Sequence, residues 1–167
     1  MDETLVHYVE DDDSAYIQIR PNAEDFLETM SNHFELVVFT AAMREYADFV
    51  LNRLDYNNRI SHRLYRDHTF NENGINIKDL SKLGRDLNKT VIVDNVKDNF
   101  KLQPKNGMHI KNFEGDENDD ELTYLQDILV FMKINMLNVP EFIENIKLNM
   151  KEKNSYINFD FENVIIK

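Results

Sequence analysis

With 167 residues, 42% of them hydrophobic, and a net charge of −12, the chain can bury one core and is not globally disordered. The acids gather in Glu10–Asp13 and Glu114–Glu121, a pattern of solvated loops that repels phosphate backbones and argues against nucleic acid as a partner. No cysteine is present, which excludes thiol nucleophiles, disulfides and thiolate metal sites. It also agrees with an intracellular compartment, nucleus or cytoplasm.

The chain opens MDETLVHY, in which Asp2, Glu3 and Thr4 precede an apolar pair. That order reads as the back half of a phosphate-handling loop whose leading residue would sit just before Met1. Pro21 to Phe34 carries Phe26, Leu27 and Met30 at helical spacing, with a proline near the start where its missing N–H costs nothing. FELVVF (34–39) and TVIVD (90–94) are short, nearly uninterrupted apolar runs, the pattern of strands buried on both faces. Arg44 to Leu54 places Tyr46, Phe49, Val50 and Leu54 on one helical face, which reads as a core face.

Ile60 to Asp67 reads as another strand, Gly74 as a turn, and Lys78-Asp79-Leu80 as the start of a loop or short helix. Glu121 to Leu137 is an amphipathic helix, and Pro140 opens a final helix to about Met150. Lys151 to Lys167 fits no element. No apolar run approaches the roughly 20 residues that a membrane helix needs. Strands alternating with helices make the fold α/β, and such sheets bind ligands at the carboxyl ends of their strands. Thr40, Asp94 and Asn95 stand at such ends.

These polar positions suit phosphoryl transfer through a covalent intermediate. That chemistry needs a carboxylate nucleophile, a second carboxylic acid to protonate the leaving oxygen, and donors or cations around the phosphoryl oxygens. Magnesium, where used, takes hard oxygen ligands. Every role except the nucleophile has a candidate. The five histidines show no metal-ligand spacing.

The segments MDETLVH, FTAAMREYADFVLNRLD, RLYRDH, IKDLSKLGRDL and VIVDN resemble, in order and spacing, the small phosphatases of the RNA polymerase II C-terminal domain. These NLI-interacting-factor-like proteins (the FCP-homology family) belong to the haloacid dehalogenase (HAD) superfamily. The resemblance runs from Asp2 to about Leu137 and implies a HAD-like Rossmannoid parallel sheet, helices on both faces, without a large cap domain. It implies one phosphatase domain over residues 1–150, cut within its first motif, and a tail over 151–167 of unknown role. The family normally has a strand before that motif, and a core sheet without it would show a gap.

By the resemblance, Asp2 is the general acid/base and also faces magnesium through its carbonyl. Thr4 completes the first motif, Thr40 bonds the phosphoryl group and Lys78 pairs with it. Asn95 binds magnesium with Asp94 supporting the metal or Lys78, and Arg66 holds the phosphopeptide. The first aspartate, the nucleophile, has no counterpart in the chain.

The implied activity is that of a magnesium-dependent protein serine/threonine phosphatase working through an aspartyl-phosphate. Its substrate would be the RNA polymerase II C-terminal domain or another phosphoprotein. The family's long β insertion after the first motif is reduced here to His7–Ile19, with Tyr16, Ile17 and Ile19 as one strand, which weighs against the polymerase tail. The alternative is an inactive binding or scaffold module, like the related mitochondrial inner-membrane translocase subunit.

Overall fold

A computed structural model describes residues 1–11 and 14–153, so most of the tail lies outside the described residues. The first motif leads into a β-hairpin, β1 (Val6–Glu10) and β2 (Ala15–Ile19), paired antiparallel from Val6↔Ile19 to Glu10↔Ala15. It contains the expected Tyr16–Ile19 strand and adds a partner that the polar VHYVE sequence did not announce. Helix α1 (Ala23–Ser31) buries Ala23, Leu27 and Met30; of the expected face Leu27 and Met30 are buried and Phe26 is half-buried.

Strand β3 (Leu36–Phe39), helix α2 (Arg44–Leu54) and strand β4 (Ile60–Leu64) form a parallel unit. The strand expected to Asp67 ends at Leu64 because Arg66–His68 winds into a 3₁₀ turn. A small hairpin follows, β5 (Phe70–Glu72) and β6 (Ile75–Ile77). Its turn residues Asn73 and Gly74 both take positive φ, 54° and 86°, the geometry that two-residue hairpin turns require.

Asp79 caps the next 3₁₀ turn, Leu80–Leu83, by accepting from the Ser81 N–H. Strand β7 (Ile92–Asp94) then pairs in parallel with β8 (Gly107–His109). Helices α3 (Glu121–Ile134) and α4 (Val139–Lys153) complete the described chain. The helix expected to Leu137 stops earlier because Met136 adopts φ 52°, and the final helix runs past Met150.

All four helices contribute to one main core. Leu27 and Met30 meet Val50, Leu51 and Leu54, together with Leu122, Leu125 and Ile128 of α3 and Phe142 and Ile143 of α4. Each such side chain, fully buried, stabilises by about 1.5–3 kcal/mol relative to exposure. A second, small cluster joins Leu80, Ile92 and Phe100.

The architecture is α/β, but the expected parallel sheet is divided. Among the described residues β3 pairs with β4 and β7 with β8, and no strand joins the two pairs. A cavity of about 410 Å³ borders both, lined by Val37, Val38 and Phe39 on one side and Val91, Ile92 and Val93 on the other. Residues of β3 and β7 that pair with β4 and β8 thus also line this cavity.

Candidate active site

Each sequence-predicted residue sits at a strand end or in a loop beside one. Lys78 follows β6 and Asp94 ends β7, and their side chains meet at 2.5 Å, both buried. Asp94 Oδ1 also accepts from the Val96 N–H at 2.8 Å and from Asn99 Nδ2 at 3.1 Å. The contact is charge-assisted and buried, which fixes where the ammonium sits.

The first-motif loop lies against this pair. Its Glu3 N–H donates to the Val6 carbonyl and its Leu5 N–H to the Met1 carbonyl, giving a tight turn in which Glu3 has φ 55°. Thr4 Oγ1 donates to Asn95 Oδ1 at 3.4 Å, linking the first motif to the loop after β7. Met1 is buried close to the Lys78 ammonium.

Behind the loop, Arg20 fixes its position. The guanidinium grips Asp119 through two bonds of 2.6 and 2.7 Å, and its third arm donates to the Thr4 carbonyl at 3.1 Å. Phe113 packs its ring beneath the guanidinium, 5.5 Å from Cζ. Arg20 and Asp119 escaped the sequence reading because a lone Arg-Pro and one acid in an acidic run look like surface.

Thr40 is buried at the end of β3, and its Oγ1 accepts from the Ala42 N–H at 3.0 Å. Arg66 docks on the same loop: its Nε donates to the Ala41 carbonyl at 2.6 Å and its own N–H to the Ala42 carbonyl. The guanidinium is thus held beside Thr40 at the surface. Among the described residues no hydrogen bond joins Thr40 or Arg66 to Lys78 or Asp94 directly.

Asp2 was expected in the site and Tyr46 in the core, yet the two touch. Tyr46 Oη donates to Asp2 Oδ1 at 2.9 Å, and burial followed by this bond pushes the phenol well above its ordinary range. A tyrosine on an apolar helical face carries no sequence signal for its hydroxyl partner.

Asn95 Oδ1 and the Asp2 carbonyl are hard oxygens of the kind that could hold a magnesium ion. Asp94 Oδ2 accepts from Lys78 and Oδ1 from Val96 and Asn99, so the carboxylate holds Lys78 in place. Among the described residues no group of three acids or histidines forms a metal cluster.

Residues 1–141 match the family described as "NLI interacting factor-like phosphatase". "CTD small phosphatase-like protein 2" of Dictyostelium discoideum is 39% identical over 145 residues, 77% of this chain and 26% of that protein. The "Mitochondrial import inner membrane translocase subunit TIM50" of Kluyveromyces lactis is 32% identical over 149 residues, 80% of this chain and 31% of its own. The chain therefore spans between a quarter and a third of these two relatives.

Among solved structures, that titled "The Structure of Fcp1, an essential RNA polymerase II CTD phosphatase" superposes with a TM-score of 0.62 at 16% identity. The match covers 91% of this chain and 56% of that one, and it establishes a shared HAD-type fold. With the first motif, the Thr40 loop, the buried Lys78–Asp94 pair and Asn95 in that fold, the chain belongs to the NLI interacting factor-like phosphatase family.

Proposed function

We propose that this chain carries the active site of a magnesium-dependent phosphatase acting on phosphoserine or phosphothreonine in a protein. The observation that supports this most is the Thr4–Asn95 bond, which brings the first motif beside the loop that follows Lys78's buried partner. In this reading the phosphoryl group sits among Thr40, Lys78 and the first-motif loop. Lys78 neutralises charge on its oxygens and Thr40 supplies a hydroxyl donor.

Asp2 gives a proton to the leaving serine or threonine oxygen, then takes one from the water that hydrolyses the aspartyl-phosphate. Arg66, held beside Thr40, binds the phosphopeptide outside the phosphoryl pocket. Asn95 and the Asp2 carbonyl would hold magnesium, which when bound would neutralise charge on the phosphoryl oxygens. In this reading the attacking carboxylate belongs to an aspartate two residues ahead of Asp2. The short β1–β2 hairpin disfavours the polymerase tail as substrate and leaves another phosphoprotein.

The test is magnesium-dependent hydrolysis of p-nitrophenyl phosphate by the 167-residue chain and by a form with Leu-Asp added ahead of Met1. Turnover is expected in the extended form only. It should be lost on Asp2→Asn, because hydrolysis of the aspartyl-phosphate needs a base. Silence in both folded forms would instead favour a scaffold role, the reading that the translocase relative supports.

A further inference from the structure

The geometry points to Tyr46 as a positioning residue for Asp2, selecting which carboxyl oxygen meets the leaving group. This inference rests on the phosphatase reading above and refines its protonation step.

Tyr46 reaches Asp2 from a distant part of the chain, and its approach is constrained on several sides. It stands in the first turn of α2, where the neighbouring Ala47 is fully buried and the Arg44 guanidinium lies 4.1 Å above the Tyr65 ring. The start of the helix is thus packed down. From the other side Tyr8 of β1 meets the Tyr46 ring edge-on, with centroids 6.0 Å apart and planes at 88°. A tyrosine held in this way delivers its hydroxyl to one place, and that place is Asp2 Oδ1.

A carboxyl group turns about its last torsion over a broad range unless a partner holds it. Here the phenol O–H occupies Oδ1, leaving Oδ2 to carry the transferable proton. In the first chemical step an attacking aspartate carboxylate oxygen forms its bond to phosphorus while the P–O bond to the substrate breaks. The electron pair of that bond goes to the leaving oxygen, which takes the proton from Asp2 Oδ2. The products are the alcohol, the aspartyl-phosphate and Asp2 as carboxylate. Tyr46 donates throughout and exchanges nothing, so its contribution is orientation.

Orientation of an acid matters only where the leaving group needs a proton. A p-nitrophenolate departs without one, whereas a serine alkoxide does not. In the form extended by Leu-Asp, kcat/KM is therefore compared between p-nitrophenyl phosphate and a phosphoserine peptide for Tyr46→Phe. This ratio stops at the first irreversible step and is blind to the later hydrolysis in which Asp2 is the base. The loss on the peptide is expected to exceed the loss on the aryl ester by about tenfold, part of the 10²–10⁴ that a general acid supplies.

Tyr8→Ala keeps the hydroxyl but removes its brace, and it should show the same selectivity to a smaller degree. It decides the matter if Tyr46→Phe does not fold. Equal losses on both esters, or none on either, overturn the role of Tyr46. An unsubstituted extended form that turns over neither ester overturns the phosphatase reading itself, and the Tyr46 role falls with it.

Discussion

Lys78 Nζ and Asp94 Oδ2 lie 2.5 Å apart with both side chains no more than 5% exposed. Neither charge has access to bulk water, so each depends on the other. Removing one leaves an uncompensated buried charge, which costs about 3–5 kcal/mol. Lys78→Met is expected to lower the urea unfolding free energy by that amount. Combining it with Asp94→Asn should cost well under the sum of the two single changes. Additive losses in that cycle would mean the pair is not coupled.

Gly107 shows a different constraint. A Cβ there would lie 2.0 to 2.7 Å from three ring atoms of Phe100, including Cγ, which cannot swing away without moving the whole side chain. Gly107→Ala should therefore destabilise by about 1–3 kcal/mol through overpacking. The same change in a Phe100→Leu background should cost less. A melting series on the four proteins distinguishes this from a loss of backbone freedom, which Phe100→Leu would not relieve.

Much of this was legible before any coordinates. FELVVF and TVIVD became β3 and β7 because uninterrupted β-branched and aromatic runs have few other uses. Arg44–Leu54 became α2 with those bounds. Motif order singled out Lys78, Asp94, Asn95 and Thr4, and the fold brings them to neighbouring loops. The hidden parts share a physical cause: they are long-range pairings of polar atoms. Arg20–Asp119 and Tyr46–Asp2 join residues far apart in sequence, and neither residue type announces such a partner locally. The β5–β6 hairpin was visible only as its Gly74 turn, since its flanking triplets are too short to show alternation.

Glu121 gives the pH dependence a definite sign. It opens α3 with one carboxyl oxygen buried and unpartnered, and burial raises its pKa above the ordinary 4.5 despite the opposing pull of Arg20. A folded-state value above the unfolded one means the folded chain binds this proton more readily. The favourable linkage is complete below the unfolded value and is lost as pH rises through the folded one. Glu121→Gln should thus be more stable than the parent at pH 7, with the difference closing as pH falls below about 4.5. Chemical denaturation at pH 4 and pH 7 tests this; a gain that persists unchanged at pH 4 would contradict it.

Arg20 binds both Asp119 and the Thr4 carbonyl, so stability and site geometry hang on one guanidinium. Arg20→Met leaves Asp119 charged and buried, an expected loss of about 3–5 kcal/mol. Arg20→Lys does not rescue it, because an ammonium lacks the planar fork that fills both carboxylate oxygens and still reaches a third acceptor. Pairing Arg20→Met with Asp119→Leu removes the orphaned charge and should recover most of the stability. The Thr4 carbonyl remains unanchored in that double variant, so phosphate-ester hydrolysis by the Leu-Asp-extended form should stay low. Stability and turnover recovering together would show that the ion pair merely holds the fold. Recovery of stability alone would assign Arg20 a separate part in holding the first motif in place.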